Sequence, residues 1–349
     1  MKIVFLDEYS LGGNDLSKIK ALGDYTGYDR TTPEQVLERC QGVDIIITNK
    51  VYISRQTMEQ LPDLKLIAIS ATGMNNVDLE AAAEFGIEVK NVSGYSTYSV
   101  AEATLCHALS LLKNSPYYDH YFKSGAYAAT ADIFHFGRPI SMLRGKNWGI
   151  IGLGAIGRQV ASLAEAFGCN IAYYSTSGVA RQEKYQHKEL SELLSWADVV
   201  SIHCPLNART ADLIGSAELE QMKSTAIIIN VARGGIISEE ALATALNNNT
   251  IAGAALDVFT QEPLPSSPLY NLNDPYKLIA SPHTAWAADD AVEKLIDGIC
   301  INIKNFLLTL PRLFAPRIDY VAKIGDTMGV GTLPCDAGLW LGVGAGLQC

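Results

Sequence analysis

The chain has 349 residues, 48% of them hydrophobic and 18% charged, with a formal net charge of -10. That length suggests two domains at roughly 150 residues apiece, and the acidic balance leaves no basic stripe to neutralise phosphates, which excludes a nucleic-acid partner. The seven cysteines are scattered and form no Cys-x-x-Cys pair, which argues against a disulfide or zinc framework, implies no metal site and fits a reducing cytoplasm.

The apolar start, Met1-Lys2-Ile3-Val4-Phe5-Leu6, is too short for a signal peptide and runs straight into Asp7-Glu8. No apolar run reaches the ~18 residues of a membrane span, so a cytoplasmic protein with no membrane partner is expected. Strand-like apolar runs follow at residues 2–6, 43–48, 64–70 and 87–92. Between them, residues 33–40 read as a helix with Thr32 as N-cap and Pro33 at the first helical position, and residues 77–85 as another, ended by Gly86. This alternation predicts a parallel sheet covered on both faces.

Residues 99–113 predict a long helix, stopped by Asn114-Ser115-Pro116. Residues 117–146 read as irregular and aromatic-rich, too long for an ordinary loop. Tyr117, Tyr118, Tyr121, Phe122, Phe134 and Phe136 need burial, so this stretch is expected to be the dimerisation arm of a homodimer rather than intrachain packing.

A second alternating series begins at Asn147. Its predicted strands are residues 147–151, 170–174, 198–203, 225–230, 251–256 and 278–281, separated by helices at 158–167, 189–195, 216–223 and 238–248. Six strands with crossover helices make a full dinucleotide fold. A last helix over residues 285–308 returns the chain to the first domain. The predicted class is therefore α/β, two doubly wound parallel-sheet (Rossmann-like) domains with a cleft between them. Residues 1–98 plus 285–312 form a discontinuous substrate domain, and residues 99–284 form the dinucleotide domain, carrying the arm at about 115–146. Residues 313–349, with several glycines, two cysteines and little amphipathic period, read as an atypical extension, poorly ordered or foreign to the fold.

Between the first strand and helix of the second series stands Gly152-Leu153-Gly154-Ala155-Ile156-Gly157. The first glycine permits a tight turn, the second lets a pyrophosphate approach the backbone, and the third lets helix and strand pack closely. The helix N-terminus adds unpaired N–H groups and a partial positive charge. The plainer alternative is a structural glycine turn.

In open parallel sheets ligands bind at the carboxyl ends of the strands, and three stretches there carry groups that can do chemistry. Arg233, in Asn230-Val231-Ala232-Arg233-Gly234-Gly235, suits a planar carboxylate through two parallel N–H bonds; otherwise it is a surface arginine in a glycine turn. Asp257 ends an apolar run and is either a cap or a ligand for a polar cofactor group, while Glu262, before Pro263, would alone be an ordinary loop acid. His283, in Ser281-Pro282-His283-Thr284-Ala285-Trp286, can give and take a proton near neutrality.

From about Val43 to Leu310 the chain resembles the D-2-hydroxyacid dehydrogenase family. The matching stretches are Ala71-Thr72-Gly73-Met74-Asn75-Asn76-Val77-Asp78, Ser99-Val100-Ala101-Glu102, the glycine turn, His203-Cys204-Pro205-Leu206, residues 230–237, residues 257–263 and Pro282-His283-Thr284-Ala285-Trp286. Phe136-Gly137-Arg138-Pro139-Ile140 and Trp286 look most like the hydroxypyruvate reductase (glycerate dehydrogenase) branch. The resemblance implies NAD(P)H-dependent reduction of a small 2-keto acid to the D-2-hydroxy acid, and the reverse. His283 would be the proton donor, held by Glu262, whose carboxylate favours the imidazolium. Arg233 would bind the substrate carboxylate and carbonyl, with Thr72, Gly73 and Met74 on its other side.

The implied cofactor contacts, besides the glycine turn (Gly152, Gly154, Ala155, Ile156, Gly157), are Thr72, Ser175, Cys204, Val231, Ala232, Arg233 and Asp257, the last toward the nicotinamide carboxamide. One departure concerns Ser175, where NAD-preferring members commonly carry an aspartate for the ribose 2′-OH. No basic residue stands beside it, the nearest downstream being Arg181; NAD(H) is taken first and NADP(H) close behind. Two other readings stay open: oxidation of the 3-phosphoglycerate dehydrogenase type, and a dinucleotide-sensing, corepressor-like binding protein on the same fold.

Overall fold

In a computed structural model of the protein, the residues described are 1–178 and 183–313. The sequence predictions for Arg181 and for residues 314–349 lie outside them.

The chain begins with β1 (Lys2–Phe5), α1 (Ser17–Lys20), β2 (Asp24–Gly27), α2 (Val36–Cys40), β3 (Ile45–Thr48), α3 (Arg55–Glu59), β4 (Leu66–Ile69), α4 (Leu79–Glu84) and β5 (Glu88–Lys90). The five strands form one parallel sheet in the order β2-β1-β3-β4-β5. β3 and β4 are buried along their whole length, as strands covered on both faces must be. α4 starts where Asp78 accepts the Ala81 N–H at 2.9 Å, a cap of a kind worth about 0.5–2 kcal/mol. The sequence predicts four strands here. The fifth, β2, is an edge strand of sequence Asp-Tyr-Thr-Gly with mostly exposed positions, so no apolar run marks it.

α5 (Thr97–Lys113) then leads across, and Asn114, at φ +52°, ends it in the left-handed conformation. The arm is not irregular throughout, as predicted. α6 (Ser115–Lys123) restarts the chain with a proline in its first turn, where the missing N–H costs nothing. Tyr117, Tyr121 and His135 then stack, and Arg138 pairs with both oxygens of Asp274 at 2.6 Å while lying over Tyr117 and Tyr276. Part of the arm's aromatic surface is thus packed within the chain.

The second series comprises β6 (Asn147–Ile151), α7 (Ala155–Ala166), β7 (Asn170–Tyr174), β8 (Gln186–His187), α8 (Leu190–Trp196), β9 (Val199–Ile202), α9 (Ser216–Gln221), β10 (Ile227–Asn230), α10 (Glu239–Asn247), β11 (Gly253–Leu256), β12 (Leu278–Ala280) and α11 (Asp289–Leu313). Its sheet is parallel and has seven strands, ordered β12-β11-β10-β9-β6-β7-β8, against the six predicted. The addition is β8, two exposed residues on the far edge. α7 opens three residues earlier than predicted, inside the glycine turn itself. α11 begins at Asp289 rather than 285 and continues to Leu313.

Buried side chains cover both faces of this sheet. On one face α5 packs on α7 over Trp148, whose indole N–H is satisfied by Ser201 Oγ at 2.8 Å. The strand order turns around at β6, between β7 and β9, which places the ligand crevice at the carboxyl end of β6. Among the described residues no helix is long and apolar enough to cross a membrane, and no group of metal-ligating side chains is assembled.

Candidate active site

The three glycines after β6 each meet a different constraint. Gly152 has φ +93°, and a Cβ there would lie 2.9 Å from the Cys204 backbone nitrogen. Gly157 sits so close to the Gly152 carbonyl that a side chain would overlap it, whereas a Cβ on Gly154 would meet open space. The turn is therefore tight at its first glycine, open at its second and packed at its third, the arrangement a pyrophosphate cradle needs. Gly154 caps α7 without a side-chain bond, so Ala155 and Ile156 open the helix with no side chain across its first N–H groups. Cys204 walls the turn; it is buried, and burial pushes its thiol up to about 11, so it serves as a small apolar residue. On the other side the Gly152 N–H donates to Tyr174 O at 3.0 Å, tying the turn to the end of β7, where Ser175 and Ser177 share a hydrogen bond of 3.1 Å.

The loop after β10 is built by Asn230, whose amide donates to Arg233 O at 2.8 Å and whose Oδ1 accepts the Ala232 N–H at 3.0 Å. Val231 is buried beneath it. Gly234 lies directly against the Phe259 carbonyl, leaving no room for a side chain, so the loops that carry Arg233 and Glu262 are locked together. The Arg233 guanidinium is exposed and donates to Ala232 O at 2.7 Å. Its Nη2 is 2.9 Å from where a Cβ on Gly73 would stand. The 72–74 loop after β4 therefore meets the arginine directly. That loop is pinned by Asn91, which donates to Thr72 O at 2.6 Å, and by Thr72 Oγ1, which donates to Val92 O at 3.2 Å; Met74 packs into the core beneath.

His283 follows β12 at φ +57°, a conformation that side chains rarely adopt. Its N–H donates to Asp257 O at 2.8 Å. The Asp257 carboxylate is 1% exposed and accepts from Ser281 Oγ at 2.6 Å, Thr284 N at 2.8 Å and Ala285 N at 2.9 Å. Of the two roles read from sequence, the structure displays the cap: Asp257 fixes residues 283–285. His283 Nδ1 meets Glu262 Oε2 at 2.6 Å, and the other Glu262 oxygen accepts the Phe259 N–H at 3.0 Å. Burial pushes the Glu262 carboxyl up. The hydrogen bonds from His283 and Phe259 and the charges of His283 and Lys50 outweigh it, so the group lies below the usual carboxylate range. Its stabilising contribution is present above the ordinary carboxylate pKa and is lost only as pH falls through the depressed one.

The sequence model for the family described as "D-isomer specific 2-hydroxyacid dehydrogenase, NAD binding domain" matches residues 105–285. A glycerate dehydrogenase of Methylorubrum extorquens is 37% identical over 312 residues, 89% of this chain and 98% of that one. A hydroxypyruvate reductase of Blautia hydrogenotrophica is 34% identical over 319 residues, again 89% and 98%. This chain belongs to the D-2-hydroxyacid dehydrogenase family. Among solved structures, the NADPH-dependent glyoxylate/hydroxypyruvate reductase of Sinorhizobium meliloti, in complex with NADP and malonate, superposes with a TM-score of 0.77 at 28% identity, covering 88% of this chain and 94% of that one. The protein is an NAD(P)-dependent 2-hydroxyacid dehydrogenase, and the open glycine cradle before α7 fits the dinucleotide's pyrophosphate.

Three residues of this dehydrogenase crevice escaped the sequence reading. Lys50 follows β3, and its N–H donates to Oδ2 of the buried Asp7 at 2.6 Å. Its side chain reaches solvent, yet desolvation pulls the ammonium below its usual range, with Glu262 opposing and Arg233 adding to the effect. The signal was available, a cation directly after a strand's carboxyl end. Tyr95 is half-buried, edge-on to Trp286 at 6.1 Å, and burial pushes its hydroxyl up to about 12, with a Ser96 hydrogen bond and the Arg233 charge opposing. Nothing in its loop distinguishes it. The third is Arg209, whose Nη1 donates to Ser177 O at 3.2 Å; only folding brings it to the end of β7.

Proposed function

We propose that this dehydrogenase reduces a small 2-keto acid of the hydroxypyruvate or glyoxylate kind to the D-2-hydroxy acid, and catalyses the reverse. The observation that carries this reading is the 2.6 Å bond between His283 and Glu262 at the same crevice edge as Arg233, with the 72–74 loop opposite. Residues 1–98 with the last helix act as the substrate domain and residues 99–284 as the dinucleotide domain, with the substrate held between them.

The glycine turn, Thr72, Ser175, Cys204, Val231, Ala232 and the segment fixed by Asp257 hold the dinucleotide, which when bound supplies the hydride. Arg233 takes the substrate carboxylate through its planar fork and stabilises the charge that develops on the carbonyl oxygen. Backbone N–H groups of Thr72, Gly73 and Met74 meet the carboxylate's other side, and Lys50 adds positive potential suited to an anionic substrate. His283, with Nδ1 committed to Glu262, presents Nε2 and gives its proton to the keto oxygen. Glu262 stays ionised and keeps the imidazolium favoured. In oxidation the same nitrogen takes the proton back.

Hydroxypyruvate, glyoxylate, pyruvate and phenylpyruvate, each offered with NADH and with NADPH, test the reading through loss of absorbance of the reduced cofactor. Turnover is expected with hydroxypyruvate or glyoxylate; a binding protein on this fold would oxidise neither cofactor with any of them.

We also propose that a second copy covers the outer side of the arm, where Ile133, Phe134 and Phe136 stand 75%, 71% and 85% exposed and Phe122 is exposed as well. Large apolar side chains exposed together on one segment, as Phe134 and Phe136 are with rings 6.2 Å apart, fit an interface. Sedimentation equilibrium is expected to give twice the chain mass; a monomer at micromolar concentration would contradict it.

A further inference from the structure

We propose that Arg209 makes the turn at the end of β7 a site for the 2′-phosphate of the dinucleotide, so that the enzyme prefers NADP(H). The inference rests on the reading of this crevice as the dinucleotide site. Three observations support it. The acid that would accept the ribose 2′-OH, and would repel a phosphate, is absent: β7 ends at Tyr174-Ser175-Thr176-Ser177-Gly178. The loop after β9 delivers a cation to this turn from the far side of β6, since the sheet runs β9-β6-β7. Arg209 Nη1 donates to Ser177 O at 3.2 Å, and a Cβ on Gly178, at φ +68°, would come within 3.9 Å of the same nitrogen. The arginine therefore reaches across the carboxyl end of β6, where the glycine turn lies, and touches the turn in which the ribose would sit.

The base of that reach is ordered. Asn207 Oδ1 accepts the Arg209 N–H at 2.9 Å, and Thr210 Oγ1 donates to Pro205 O at 2.7 Å. Among the described residues, the other arginine near this turn, Arg158 at the start of α7, is paired with Glu183. Arg209, among the described residues, meets one acceptor, the Ser177 carbonyl. A guanidinium has N–H groups to spare beyond one such bond, and they suit the geometry of a phosphate dianion.

The test compares two probes that differ only in the 2′-phosphate, 2′,5′-ADP and 5′-AMP, by titration calorimetry, with steady-state kinetics alongside. Wild type is expected to bind 2′,5′-ADP at least about tenfold more tightly, as a charge-assisted contact allows. Arg209→Ala should abolish that advantage and lower the ratio of kcat/KM for NADPH to that for NADH by about 10- to 100-fold. Arg209→Lys should restore part of it, and Ser175→Asp should turn the ratio toward NADH. Equal binding of the two probes by wild type, or an advantage that survives Arg209→Ala, overturns the assignment and leaves the keto-acid chemistry standing. Failure of wild type to bind either probe overturns the assignment together with the dinucleotide reading beneath it.

Discussion

Arg233→Ala is expected to lower kcat/KM for hydroxypyruvate by about 10²–10³-fold or more, the range seen when one donor to a developing oxyanion is removed. The effect should be large because, in the proposed mechanism, this guanidinium would serve both ends of the reacting group, the carboxylate that orients the substrate and the oxygen that gains charge. Its position is also fixed from several sides: Asn230 holds its backbone, Gly234 ties its loop to Phe259, and Gly73 leaves the space that its Nη2 faces. Arg233→Lys should recover little, since an ammonium restores the charge and not the planar fork. Steady-state kinetics with NADPH fluorescence titration separates the effects, and cofactor binding should stay measurable. Turnover within about threefold of wild type would remove Arg233 from the transition state.

His283→Ala is expected to cost about 10²–10⁴ in kcat for keto-acid reduction, the span of general acid catalysis by a positioned side chain. The companion variant Glu262→Gln tests how the histidine is held. The Glu262 carboxyl is depressed, so it is an anion throughout the neutral range, and an anion 2.6 Å from Nδ1 favours the protonated ring. In the proposed mechanism reduction needs that protonated form. Glutamine keeps the shape and loses the charge, so reduction at neutral pH should fall more than oxidation. Equal losses in reduction and oxidation by Glu262→Gln would mean that the carboxylate serves position alone. Near-normal reduction by His283→Ala would place the proton donor elsewhere.

The fold and the chemical groups were legible in the sequence for a physical reason. Parallel strands buried on both faces, such as Ile45–Thr48 and Ile227–Asn230, must be continuous apolar runs, and the residues that follow them sit at the ligand edge. Arg233, Glu262 and His283 stand out as candidates this way without knowledge of how the loops fold. Edge strands carry no such signal: β2 and β8 are polar and exposed, and both were missed. Cooperation between distant loops is equally silent. Nothing in the spacing between Ser177 and Arg209, or between Gly73 and Arg233, says that they touch, because the contacts are made by strand order. Asp257 shows the converse case: its place at a strand end was legible, and only the structure shows its oxygens engaged by Ser281, Thr284 and Ala285.

The most direct measurement is the configuration of the product formed from hydroxypyruvate and reduced cofactor, resolved by chiral chromatography. If Arg233 and the 72–74 loop hold the carboxylate and His283 holds the keto oxygen, the keto acid offers a single face of its carbonyl carbon to the hydride, and the product should be D-glycerate alone. Formation of L-glycerate, or no consumption of NADH or NADPH at all, would contradict the account.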